Sequence, residues 1–244
     1  MRPRHSAVGR DPRACLLRAR RRRARRTGGG GRKQRIVSTG DLAGRHALVA
    51  GAAEGLGRAL ATGLAAAGAN VSVTTRHDDL AEEVTANSIL NECWSHGREG
   101  RALRLDLTDL EAVVEAFVQL EEELAPIDLL VSLAFDAPRT PADGSTGDWS
   151  AAIEAGATPA FVLARAIGPS MVSRRTGLIA AVLPPEPEAR ADAPLRAARA
   201  AVVGLCEGLA AEWAESGVAV AWLDEAEPPQ LLARLSRDAD GANS

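Results

Sequence analysis

No tyrosine occurs in the 244 residues, so no phenol is present to act as an acid or base. Aromatic residues make up only 3% of the chain, three of them Phe and four Trp, and the core must be built from aliphatic side chains. Cysteine is nearly absent as well. Cys15, Cys93 and Cys206 are odd in number and far apart, which excludes both a disulfide framework and metal-ligand spacing and points to free thiols in a reducing, cytoplasmic compartment. His5, His46, His77 and His96 are equally scattered, so no metal site is expected. Every long apolar stretch meets a charge or a glycine well short of the roughly 18 residues that a membrane helix needs.

What is present is a chain with 46% apolar residues and charges of both signs, a composition for one soluble globular domain. The net charge of −3 hides a division. Residues 1–40 hold 14 of the 29 Lys and Arg against one acid, Asp11, a balance of +13, whereas residues 41–244 carry −16. The arginine block at 18–26 and the glycines at 28–31 give the first 40 residues the composition of a disordered tail. Three readings remain for it: a nucleic-acid-binding arm, a transit peptide, or upstream sequence not translated natively. The last is favoured, because the folded pattern begins just after Val37 and serine is scarce for a transit peptide. An acidic body is a poor nucleic-acid binder, so nucleic acid would bind only through the tail.

From Leu42 short β-rich runs alternate with helical segments. Strands are predicted over 47–50, 71–75, 102–105, 128–133, 178–183 and 218–223. Helices are predicted over 56–67, 80–96, 110–123, 149–172 (interrupted or offset near Pro159) and 195–215. This alternation predicts an α/β fold, a Rossmann-like doubly wound parallel sheet of order 3-2-1-4-5-6 with helices on both faces, in a single domain over 41–244. Between the first strand and helix stand Gly51, Gly55 and Gly57 in the stretch HALVAGAAEGLG. A strand that turns sharply into a helix needs glycine where a side chain would block a ligand or the packing, and the helix N-terminus beginning at Leu56 then offers free N–H groups to a pyrophosphate.

The spacing Gly-x-x-x-Gly-x-Gly resembles the short-chain dehydrogenase/reductase family of NAD(P)-dependent oxidoreductases, and the resemblance runs from about Leu42 to Leu223. It implies that Gly51, Gly55, Leu56 and Gly57 hold the pyrophosphate. In LRLDLTD it implies that Asp106 accepts from the adenine amino group and that the Leu107 N–H donates to the ring. At the end of the second strand Thr75 stands where an NAD-specific member would carry Asp, and Arg76 follows, so NADP(H) is weakly preferred over NAD(H); Glu54 argues the other way. Ala134 follows the fourth strand in Ser-Leu-Ala-Phe, where the family usually has Asn-Asn-Ala-Gly.

The catalytic half departs from the family. The helix that should carry Tyr-x-x-x-Lys has Leu195 and Arg199 at those positions, Pro184 or Leu183 replaces the serine, and Gly156 replaces the asparagine. Asp224, Glu225 and Ala226 replace a Pro-Gly turn. Leucine transfers no proton and arginine is a poor shuttle. Arg199 is left to donate to a nicotinamide ribose, a carboxylate or a phosphate. A substitute acid would have to come from Glu186, Glu188 or Asp192. A seventh strand and the long substrate loop have no room before Ser244. Three functions follow: a cofactor-binding or non-catalytic subunit, an active oxidoreductase with an unusual acid or base, or a structural partner with an empty pocket. The resemblance also implies a homo-oligomer, or a hetero-oligomer with an intact relative, paired through the helices at 149–172 and 195–215.

Overall fold

The structure is a computed structural model that describes residues 42–52, 55–75, 80–139, 144–185, 192–225 and 228–241, all within one compact unit, Ile36–Ser244. Glu54, Arg76, Glu186, Glu188 and the basic tail lie outside the described residues.

The strands are β1 (His46–Ala50), β2 (Asn70–Thr75), β3 (Ala102–Arg104), β4 (Leu129–Ser132), β5 (Gly177–Leu183) and β6 (Val218–Asp224). They form one sheet of order β3-β2-β1-β4-β5-β6, parallel throughout, with Ala47 of β1 between Val71 and Leu129. The helices are α1 (Leu56–Ala66), α2 (Leu80–Ser95), α3 (Leu110–Glu123), α4 (Thr146–Gly156), α5 (Thr158–Arg174), α6 (Ala193–Glu212) and α7 (Pro228–Gly241). A parallel sheet needs cover on both faces, which is why its inner strands read as continuous apolar runs. Ala47 and Val49 of β1 pack with α1, α2 and α7, while Leu48 and Ala50 pack with α3 and α5.

Two expectations are refined. The helical stretch over 149–172 is interrupted near Pro159 as expected, forming two helices divided at Ala157, but it starts earlier, at Thr146 under a Ser145–Asp148 capping box. Pro159 lacks an N–H, and its ring would collide with a carbonyl one turn back, so one helix ends and another begins with proline in its first turn. The segment after β6 forms α7, a helix the sequence reading left out. It buries Leu231 and Leu235 in the same core layer as Leu60 and Leu64, and Gly63 makes room for the tip of Leu232. Among the described residues no seventh strand is present. Asp109 caps α3, accepting from the Ala112 N–H at 3.1 Å. Cys93 and Cys206 are buried, and burial pushes both thiols up to about 11.

His46, at the foot of β1, is fully buried. Its Nδ1 lies 2.7 Å from the Ala125 carbonyl oxygen and carries the proton, while Nε2 accepts from the Ser72 hydroxyl at 2.9 Å. The Ser72 oxygen in turn accepts from the Arg101 N–H at 3.1 Å. Burial lowers the His46 pKa, opposed by the Ala125 carbonyl and by Asp128 and Glu121. The folded chain therefore keeps a neutral imidazole where the unfolded chain takes a proton, and stability falls as pH drops below the unfolded value of 6.5. The slope approaches about 1.4 kcal/mol per pH unit, the limit for one proton. Urea titrations at pH 7 and pH 5 are expected to show this loss in the wild type and a smaller one in His46→Gln. Equal losses in both would remove His46 as the cause.

Candidate functional site

The carboxyl ends of the strands carry the candidate site, and the sheet order reverses between β1 and β4, where a crevice opens in folds of this kind. On the β1–β2–β3 side, β1 runs into Gly51 at φ +75°, whose N–H donates to Thr74 Oγ1 at 3.0 Å. A Cβ on Gly51 would lie 3.1 Å from the Ala134 nitrogen, so the turn is seated against the chain leaving β4. Gly57 presses α1 on the strand: a Cβ there would sit 2.8 Å from Ala52 Cα and 3.3 Å from a Leu133 methyl.

Gly55 serves differently. It adopts φ +68° with nothing within 4 Å of where a side chain would stand, leaving open surface at the start of α1. Among the described residues no side chain caps that helix and no acid occupies its first turn. At the end of β2 the Thr75 hydroxyl is buried without a hydrogen-bond partner. Asp106 lies exposed beyond β3, its Oδ1 accepting from the Thr108 N–H (2.8 Å) and hydroxyl (2.7 Å). Leu107 packs half-buried on the layer beneath. The glycine residues, Leu56, Asp106 and Leu107 thus stand at the carboxyl end of the β1–β2–β3 half-sheet.

On the β4–β5–β6 side the described residues around Gly156 are tightly packed, while an open cavity of about 300 Å³ lies beside β6, lined by Cys206, Trp222, Asp224 and Arg234. A Cβ on Gly156 would meet Ala137 Cβ and Ala198 Cβ, each at 2.8 Å, and the Phe135 ring at 3.3 Å. Phe135 joins Ala181, Leu183, Val202 and Cys206 in an apolar cluster, and the crevice between Ser132, Gly156, Leu183 and Val202 is packed too closely to admit a water molecule. Leu195 is buried. Arg199, with 13% of its side chain exposed, donates from Nε to the Pro184 carbonyl at 3.2 Å, pairs with Asp224 at the end of β6, and lies 5.8 Å from the centre of the Trp222 ring. Its charge is held by the protein itself. Asp192, in a left-handed conformation before α6, is buried and 3.4 Å from Arg139 Nη1.

Sequence reasoning placed these residues singly and missed two pairings. One is the exchange of volume, in which a large Phe135 fills the room that Gly156 vacates. The other is the joint arrival of opposite charges at Arg199 and Asp224. Both were signalled only by departures that complement one another. Among the described residues no cluster of His, Cys, Asp or Glu has the makings of a metal site, and no helix is long and apolar enough to cross a membrane.

The sequence profile of the short chain dehydrogenase matches residues 45–224. Gluconate 5-dehydrogenase of Gluconobacter oxydans (strain 621H) is 30% identical over 182 residues, 73% of this chain and 69% of that protein. The 2,3-dihydro-2,3-dihydroxybenzoate dehydrogenase of Bacillus subtilis (strain 168) is 31% identical over 57% of this chain, which spans about half (52%) of that relative. A solved gluconate 5-dehydrogenase from Burkholderia cenocepacia J2315, in complex with NADP and tartrate, superposes with a TM-score of 0.68 at 29% identity, covering 84% of this chain and 81% of its own.

Proposed function

Because the chain belongs to the short-chain dehydrogenase family, we propose that it binds NAD(P)(H) through its β1–β2–β3 side and is a pseudoenzyme, a non-catalytic cytoplasmic subunit that no longer performs the family's carbonyl reduction. The observation that supports this reading is at the β4–β5–β6 side, where Phe135 packs against Gly156 and Arg199, at the position of the family's lysine, is paired with Asp224.

A bound nicotinamide supplies hydride to a carbonyl carbon, and the protein must place a proton on the oxygen. Leu195 has no proton to give, the chain has no tyrosine elsewhere, and Arg199 is committed to Asp224 and Pro184. Loss of a positioned acid alone removes about 10² to 10⁴ in rate. Asp192 faces Arg139 and is no substitute in this arrangement. On the binding side, Gly51, Gly55, Leu56 and Gly57 hold the pyrophosphate, Asp106 and Leu107 the adenine, and Ala134 backs the turn. Thr75, being uncharged, does not repel a 2′-phosphate, and with Arg76 following it NADP(H) is favoured over NAD(H).

The chain pairs with a second copy or an intact relative through α4, α5 and α6. Phe161 stands half-exposed on α5, and Gly204 and Gly208 on α6 have nothing within 4 Å of their Cβ positions, which permits close helix approach.

Calorimetric titration of the full chain is expected to give micromolar binding, tighter for NADPH than for NADH, with no ketone or alcohol turnover above buffer. Sedimentation of the same sample is expected to show a dimer, alone or with an intact relative. Absence of binding to either cofactor would overturn the cofactor reading, sustained turnover the non-catalytic one, and a monomer under both conditions the pairing.

A further inference from the structure

We infer that the site takes the adenosine diphosphate portion of the cofactor alone and does not read its nicotinamide, so that the chain responds to the nucleotide whatever its oxidation state. This rests on the cofactor binding proposed above and narrows it.

In a doubly wound sheet a dinucleotide lies across the point where strand order reverses, one mononucleotide over each half. The two halves of this sheet are built for different occupants. Over β1, β2 and β3 the surface is open at Gly55, the first turn of α1 has neither a capping side chain nor an acid among the described residues, and the buried Thr75 hydroxyl lacks a partner. These features suit phosphates and a ribose. Over β4 and β5 the described residues around Gly156 pack hydrocarbon against hydrocarbon, and the crevice between Ser132, Gly156, Leu183 and Val202 has no room for a water molecule. The Phe135 ring, Ala137 and Ala198 fill the space beside Gly156, which leaves no recess there for a nicotinamide ring. Its carboxamide carries two N–H donors and a carbonyl acceptor, all costly to bury without partners. The Arg199 guanidinium is engaged by Asp224 and by the Pro184 carbonyl. The nicotinamide end therefore stays in solvent and adds nothing to affinity.

The test compares NADPH, NADP⁺ and 2′-phospho-ADP-ribose, which lacks the nicotinamide, by calorimetry on the full chain. Saturation-transfer NMR on NADP⁺ supplies a second reading. Dissociation constants within about threefold of one another are expected, with transfer to the adenine protons and none to the nicotinamide protons. A tenfold or greater advantage of NADPH or NADP⁺ over 2′-phospho-ADP-ribose, or transfer to the nicotinamide protons, would overturn this inference and leave cofactor binding standing. Failure of all three ligands and of NADH to bind would overturn both.

Discussion

Replacing Gly100 by alanine is expected to cost about 3 kcal/mol or more and to abolish nucleotide binding with it. A Cβ at this position would fall 1.7 Å from the Val71 carbonyl oxygen and 2.5 Å from its carbon. The obstacle is backbone in a buried strand, which has no rotamer to change. The approach to β3 cannot retreat either, because the flanking residues are tied to β2. The Val71 N–H donates to the Glu99 carbonyl at 2.8 Å, the Val73 N–H to the Arg101 carbonyl at 2.9 Å, and the Arg101 N–H to Ser72 Oγ at 3.1 Å. Relief requires peeling these residues from the sheet, which displaces β3 and the Asp106 that follows it. Gly97→Ala is the control: φ there is +70° with nothing within 4 Å, so only backbone strain of about 1 kcal/mol is expected. The urea midpoint for each variant, with NADPH titration, decides the matter. A Gly100→Ala midpoint no lower than that of Gly97→Ala would defeat the steric account.

Restoring the family's asparagine is expected to damage this protein. Gly156→Asn drives a side chain into Ala137, Ala198 and Phe135, and overpacking of this kind costs about 1–3 kcal/mol. Phe135→Gly on its own leaves a cavity in the cluster around Leu183 and Val202 and is destabilising as well. Together the two should be less harmful than the sum of their separate effects, because the asparagine enters the space that the ring leaves, with a coupling of about 0.5–3 kcal/mol. Recovery stays incomplete, since Ala137 and Ala198 still confront the new side chain. The double variant should show no dehydrogenase activity, because Leu195 still stands where a proton donor is needed. Denaturant melts of the four proteins in the cycle give the coupling directly. Strict additivity, or a Gly156→Asn protein as stable as the parent, would contradict the exchange of volume.

These two cases mark how much of the molecule could be read from its residues. All six strands were legible, because each is a short apolar run with a turn or a helix on either side, and parallel order follows from that alternation. The glycine turn was legible for a related reason: positive φ at Gly51 and Gly55 is a demand the chain makes locally. The divided helix was half visible in Pro159, while its boundary at Ala157 depended on packing. Helix α7 escaped because Leu231, Leu232 and Leu235 are too few to stand out until Leu60, Leu64 and Gly63 are placed beneath them. The packed end of the site escaped for the deepest reason. Four missing catalytic groups could be counted along the chain, but what replaced them consists of contacts between distant residues, Phe135 against Gly156 and Arg199 against Asp224. Neither member of a pair declares its partner. The roles of Arg76 and Glu54 lie outside the described residues and rest on the sequence alone.

The two buried thiols give the molecule a chemical memory. Cys93 lies under α1, with its sulfur 3.8 Å from the Ala61 carbonyl, and Cys206 lies in the cluster behind the filled crevice. A thiol held protonated and out of contact with solvent resists alkylation and oxidation until its surroundings open. Modification of either sulfur by an electrophile or an oxidant would therefore report that the packing around it had opened.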